Sequence, residues 1–597
     1  MNRSFGGALA GSGESGDFED LGTPVRVGRL HDARVGPDEQ GRIRWIYAVF
    51  GQARGYDPFL LVIDPATGGT RQFFPPARRA PRGFKCLFPA ADGRVYIGGY
   101  NPAGLFRFDP RAPERGIERL GVLPGAVMAW WIRQAADGRF YITTSDQSRL
   151  FSWDPEGGRI EDHGRLSDEN QYATVLMTSA DRRSLYAAVM PERFDVVRYD
   201  VGSGHATGLL PPDRRGVGFI GIFRGADDRL EVELPDGVTR VPVSPGPVEG
   251  DPSWDSLEDG GRVVSTAAEE IGIERAGATV VLPLRYDAVT EINSAHAAPD
   301  GHILAFSHAP LQMCRYHPPT GALEVTGNPF ERANGSMRAA ANLGGSVVLA
   351  AYPSCDLSLY DPQRPWNKGP TPQHNPWTWG LVGAEGHSRP MAVVVAPDGL
   401  AYVGSDSAYG VPGGAVACVD PRTGLLLYNI REPFRTLSVQ SLSAHAHSLF
   451  VGCVSAQPQG APVIAWDLRE RRVRWQVSPV PGASHITSLH AAGGRLFGST
   501  MQNSSYDEQQ FFLMDPGSGA VLERRRAPVG AVIDGNLRRG PDGQLYGLTT
   551  DGLFFRVDPA TLAVQRLARS NRADPYALAI TEHAVYFAHG GTLRRLR

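Results

Sequence analysis

Apolar and polar positions alternate along this chain in short runs, and the runs repeat. RVYIGG (94–99) and LFRFD (105–109) show the two-residue period of strands. A longer phrase recurs: an apolar strand, a D/G turn, a second strand, a variable loop, a third strand ending in aspartate, then a P-x-x-G-like turn. It reads AADGRVYIGGYNPAGLFRFDP, AADGRFYITTSDQSRLFSWDPEGG, APDGHILAFSHAPLQMCRYHPPTG and GPDGQLYGLTTDGLFFRVDPATL at four places. The D-G and P-x-T-G pairs supply the positive-φ positions that turns between antiparallel strands need. Successive D/G turns lie about 45 residues apart, as from Asp92 to Asp137. Four strands in that length is the unit of a β-propeller blade.

About thirteen such units can be counted, with turns near residues 39, 92, 137, 181, 227, 261, 300, 344, 398, 446, 493, 542 and 583. One ring holds typically four to eight blades. The pattern therefore predicts an all-β fold of two β-propellers, each of six or seven four-stranded blades. The predicted organisation is a flexible Gly/Ser-rich tail over 1–20, a first propeller over 21–285 and a second over 286–597. The last unit ends at TLRRLR with no outer strand, and TPVRVGRL near the start has no partner. The N-terminal strand is therefore a candidate to close the last blade and cover its edge.

Composition adds limits. The 597 residues include 71 glycines and 47 prolines, a turn-rich balance. Sixty basic and 63 acidic side chains give a formal charge of −3, which recommends neither a nucleic-acid nor an acidic-membrane partner. Only Lys85 and Lys368 are lysines, so the positive charge is nearly all arginine. No apolar run approaches the roughly 18–20 residues of a membrane helix. The first residues lack the apolar stretch of a secretory signal. Cys86, Cys314, Cys355, Cys418 and Cys453 share no close spacing, so neither a disulfide framework nor a zinc site is expected. These features predict a cytoplasmic protein whose partner is a small molecule or an oligosaccharide.

Blade order predicts where chemistry would sit. The D/G and P-x-T-G turns are short and uniform and share one face, whereas the loops of the opposite face are long and individual, as recognition loops are. On that face fall His308, His387, His485 and His589. His296 and His490 lie on inner strands towards the uniform face, where packing is the commoner role. The richest stretch is 361–414, with Trp366, Trp377 and Trp379 in an insertion, then His387, Arg389, Asp406 and Tyr409. Asn334, Arg338, Tyr352 and Gln440 are expected on the same face. Arginine clamps carboxylates bidentately, and tryptophan faces stack on sugar rings. The set therefore suits a hydroxyl-rich, carboxylate-bearing ligand; the alternative is that the Trp-rich insertion only covers the side of the fold. In the first half the equivalent loops carry Tyr56, Tyr100, Asn101, Trp130, Trp131, Asp146 and Tyr172, with no evident acid–base pair.

RPMAVVVAPDGLAYVGS resembles the repeat of streptogramin B lyase and its relatives, in which a Pro-led strand precedes G-P-D-G and a second strand. The chain is also similar to the wider set of bacterial propellers with NHL-type repeats and to propeller polysaccharide lyases. The likeness spans almost the whole chain, but this repeat serves unrelated functions. It implies elimination chemistry, with a histidine or tyrosine acting on a proton and a divalent cation or cationic side chain steadying an enolate. His387, Tyr409 and His308 are the candidate catalytic residues. Arg389, Arg338, Asn334, Tyr352, Trp379 and His485 are the candidate substrate-binding ones. Two readings stand: a lyase (or glycosidase) acting on an acidic, uronate-containing oligosaccharide, or a non-catalytic double-propeller scaffold for a ligand or protein.

Overall fold

The computed structural model describes residues 16–76, 81–237, 239–249, 255–381, 386–501, 509–530, 532, 537–570 and 575–597. Most of the tail predicted over 1–20 lies outside them. Among the described residues the chain is almost entirely β, with two single-turn 3-10 segments and no α-helix. Ten antiparallel hydrogen-bonded sheets are present among the described residues. The twelve-stranded one consists of three four-stranded meanders joined by the lone pairings Met128–Tyr100 and Ser145–Tyr172. The eight-stranded one is two meanders joined at Val454–His485. Counted this way there are thirteen meanders, eleven of four strands and two of three.

The repeated D/G phrase has a specific physical role. Asp92 Oδ1 accepts from the Arg94 amide, and Asp92 Oδ2 accepts from the Tyr96 hydroxyl at 2.8 Å. Asp137 does the same for Arg139 and Tyr141, Asp398 for Leu400 and Tyr402, and Asp542 for Gln544 and Tyr546. Each aspartate caps its turn and grips the tyrosine at the second position of the next strand. The glycine beside it takes the left-handed conformation, φ +79° at Gly93 and +80° at Gly138.

Two compact units result. The first comprises Arg26–Val289 with Tyr409–Val411, and the second comprises Met1–Val25, Thr290–Ala408 and Pro412–Arg597. In the second, the strand Phe18–Gly22 pairs with the last strand, Thr592–Leu596. The closing strand is thus FEDLG, which begins inside the predicted tail, rather than TPVRVGRL. Its seat is fixed by Phe18 against Phe554 and Phe587, and by ion pairs of Asp20 with Arg594 and Glu19 with Arg595.

The core lies in layers between successive sheets. Tyr402, Val416 and Cys418 of one sheet, for example, pack on Val439, Leu449, Val451 and Ile464 of the next. Each fully buried side chain of this kind stabilises by roughly 1.5–3 kcal/mol. Small residues permit the contact. A Cβ on Gly452 would lie 2.3 Å from Ser441 Oγ and 2.7 Å from Ile486 Cγ2, so glycine lets the next meander's first strand approach.

Candidate functional site

The second unit's sheets each begin with a strand that lies beside the first strand of a neighbouring sheet. Ser336–Leu343 lies beside Arg389–Val395, which adjoins Ser438–His445, which adjoins His485–Ala492. Ile292–Ala297 adjoins both Ser336–Leu343 and Pro575–Ile580. Hydroxyl groups join these strands: Ser441 Oγ donates to Ile486 O at 2.8 Å, and Ser488 Oγ accepts from the Leu537 amide at 3.0 Å.

Near its start each of these strands is bulged, the register breaking between Ile292 and Ser294, Met337 and Ala339, Pro390 and Ala392, Val439 and Ser441, and Ile486 and Ser488. A bulge leaves one residue unpaired and re-aims its side chain. Four of the skipped residues, Arg338, Met391, Gln440 and Thr487, line a single cavity of about 110 Å³, together with Ser488, His490 and Arg538. Two arginines and no acidic side chain are in its lining.

The charge of Arg338 also acts on Asp406, outside the lining. Asp406 lies 3.6 Å from Arg389. Burial pushes its carboxyl up, while Arg389, Ser438 and Arg338 pull it back. Arg338 also rests over Tyr352, 5.6 Å from the ring centroid. His490 donates its Nε2–H to Leu537 O at 3.1 Å. Burial pushes it down to about 4, so it is neutral at pH 7 and Nδ1 carries the lone pair.

Of the predicted set, the structure brings Arg338 to the cavity lining, with Tyr352 under its guanidinium and Arg389 sharing Asp406 with it. It places the others elsewhere. His387 is half-buried, with Nε2–H donating to Asn429 Oδ1 at 2.8 Å and Nδ1 accepting from Ser405 Oγ at 3.0 Å. Both ring nitrogens are engaged, which leaves none for a substrate proton. Tyr409 belongs to the first unit, where its ring meets Phe219 and Tyr172 edge-on at 5.5 and 6.4 Å. None of His387, Arg389 and Tyr409 is in the lining of this cavity. Asn334 holds a loop by accepting from the Leu311 amide at 2.9 Å. His308 sits in the loop after Ile303–Ser307, outside the cavity lining. Trp379 meets Trp377 at a tilt, with ring centroids 4.8 Å apart, and packs on the core around Cys355 and Leu357. His485 opens its strand with Nδ1 2.7 Å from Ser484 Oγ, two residues before Thr487.

Thr487, Met391, His490 and Arg538 are lining residues that the face argument passes over. The predicted positions lie mostly on loops, whereas the bulges turn strand residues inwards. A signal does exist: M-R-A, P-M-A, V-Q-S and I-T-S each place the projecting residue between an apolar and a small one. Among the described residues no group of three or more His, Cys, Asp or Glu is placed to hold a metal ion, and no helix is long and apolar enough to cross a membrane.

No protein-family model matches the chain, and no curated protein matches it. Among solved structures it is similar to the extracellular domain assigned to a one-component system of B. thetaiotaomicron. Identity is 11% over 97% of this chain and 82% of that one, with a TM-score of 0.37. That neighbour is extracellular, against the cytoplasmic location predicted above. The cysteines do not rescue the prediction: all five are single buried thiols, inert in either compartment. The cytoplasmic assignment is withdrawn. At this TM-score the likeness carries no argument about fold, ligand or activity.

Proposed function

We propose that the two units are β-propellers, of six and seven blades, and that the cavity of the second binds a small, hydroxyl-bearing anion such as a uronate. The propeller reading is supported by six meanders in the first unit and seven in the second, and by the succession of first strands that returns from Pro575–Ile580 to Ile292–Ala297. The binding reading rests on one observation: Arg338 and Arg538 line a cavity that no acidic side chain lines. Gln440, Thr487 and Ser488 would meet hydroxyl groups. Titration calorimetry with galacturonate and galactose tests it. Galacturonate should bind and galactose should not. Arg338→Ala should weaken binding by about 1.5–3 kcal/mol, roughly ten- to a hundredfold, as expected for a hydrogen bond to a charged group. Equal affinity for the two sugars would overturn the reading.

A second reading, β-elimination on the same ligand, is favoured by His490. Its neutral Nδ1 would accept the proton α to the carboxylate, the arginines steadying the enolate, as the carbon–oxygen bond β to the carboxylate breaks, a carbon–carbon double bond forms and the departing oxygen takes a proton from water. Incubation with oligogalacturonate should then yield an unsaturated end, and His490→Gln should abolish it. Binding without turnover would leave the scaffold reading alone.

A further inference from the structure

The first unit repeats the bulge device with different chemistry. Its strands Arg29–Pro37, Gly83–Pro89 and Met128–Gln134 lie side by side. Their registers break between Leu30 and Asp32, Phe84 and Cys86, and Ala129 and Trp131. The skipped residues are His31, Lys85 and Trp130, all half-buried. Lys85 Nζ stands 4.9 Å from the centroid of the Trp130 ring. Trp130 meets Tyr172 at 5.5 Å, and His31 meets Tyr100 edge-on at 5.4 Å.

The amine has no acid of its own. Asp32, whose charge acts on it, is committed elsewhere: it pairs with Arg34 at 3.1 Å and accepts from the Leu87 amide at 2.9 Å. Among the described residues no carboxylate forms an ion pair with Lys85. Arg29 is the cation whose charge acts on Lys85, while Arg34 and Arg133 lie over the neighbouring Trp131, each 5.5 Å from its ring. Burial, more than the charge of Arg29, pushes the Lys85 ammonium down against the pull of Cys86 and Asp32. An ammonium desolvated in this way gains from an incoming anion. A cation stacked on tryptophan, with further aromatic rings alongside, also offers a flat apolar surface.

We propose that this cluster is a second binding site, for an anion carried on a flat ring, with the carboxylate on Lys85 and the ring against Trp130 and Tyr172. Benzoate is the minimal probe, with benzamide (ring without charge) and acetate (charge without ring) as its controls.

The chain's two lysines make the test direct. Lys368, whose ammonium donates to Phe330 O at 3.0 Å, serves as an internal reference. The intact protein is treated briefly with an amine-acylating reagent and each lysine is read by mass spectrometry. Benzoate should slow acylation of Lys85 at least fivefold relative to Lys368, and benzamide and acetate should not. Protection should persist in Arg338→Ala, which separates this site from the cavity of the second unit, and should be lost in Trp130→Leu. Acylation of Lys85 at the same rate with and without benzoate, or equal protection by acetate, would overturn the proposal.

Discussion

The position of Arg338 decides what its charge can do. It is the skipped residue of a bulge, and its guanidinium rests over Tyr352 of the adjacent strand while it lines the cavity. Because the guanidinium fork matches a carboxylate bidentately, Arg338→Lys should keep the charge yet lose most of the galacturonate affinity; full retention in calorimetry would show that only charge matters. His387 works at the same scale but as a structural group. Burial, with Arg431 adding and Asn429 opposing, pushes it from the ordinary 6.5 down to about 4. Unfolded, it takes up a proton near 6.5, so the unfolded state binds more protons between 6.5 and 4. Stability is intact above that window and falls as pH drops through it, by at most about 1.4 kcal/mol per pH unit for one histidine. Urea unfolding between pH 7 and 4 should show the loss, and His387→Gln should reduce its slope. Equal slopes in the two proteins would contradict this role. The sequence marks His387 as a candidate because it stands in a long loop. What it does not carry is the distance to Ser405 and Asn429, which only the register of three strands sets.

At the scale of the element, the D/G turn was legible because its physics is local. An aspartate that caps the turn and holds a tyrosine four residues on, as Asp92 holds Tyr96, leaves a signature within one short window. The bulges were not, since a bulge is a relation between two strands. Their tripeptide trace, apolar, projecting, small, means something only once the pairing is known. The edge partner was legible as a need and misplaced in sequence: FEDLG is polar and short, yet Phe18 and two acidic residues suffice to seat it. Close packing gives a direct check. Gly452→Ala should destabilise by about 1–3 kcal/mol through overpacking against Ser441 and Ile486. Gly345→Ala, where a Cβ meets nothing within 4 Å, should be near neutral. Denaturant midpoints that move equally would contradict this account of the sheet contacts.

At the scale of the molecule, length and turn composition resolve into thirteen meanders and two units. A repeat is legible from one sequence because every copy poses the same problem. A binding site is less so, because it is assembled from one residue of each of several copies. The charge of −3 says nothing of a cavity lined by two arginines. The thiols show the whole fold at once: all five are buried, and burial pushes Cys86, Cys314 and Cys355 up to about 12. Native protein should show no titratable thiol at pH 8 and five after denaturation; a fast-reacting thiol in the native state would place a core residue at the surface.

The central claim is that first strands of successive sheets converge to hold an anion. A crystal structure of the protein soaked in galacturonate tests it most directly. The account predicts the carboxylate between Arg338 and Arg538 with hydroxyl groups towards Gln440 and Thr487. A cavity holding only water while the sugar acid lies elsewhere, or nowhere, would contradict it.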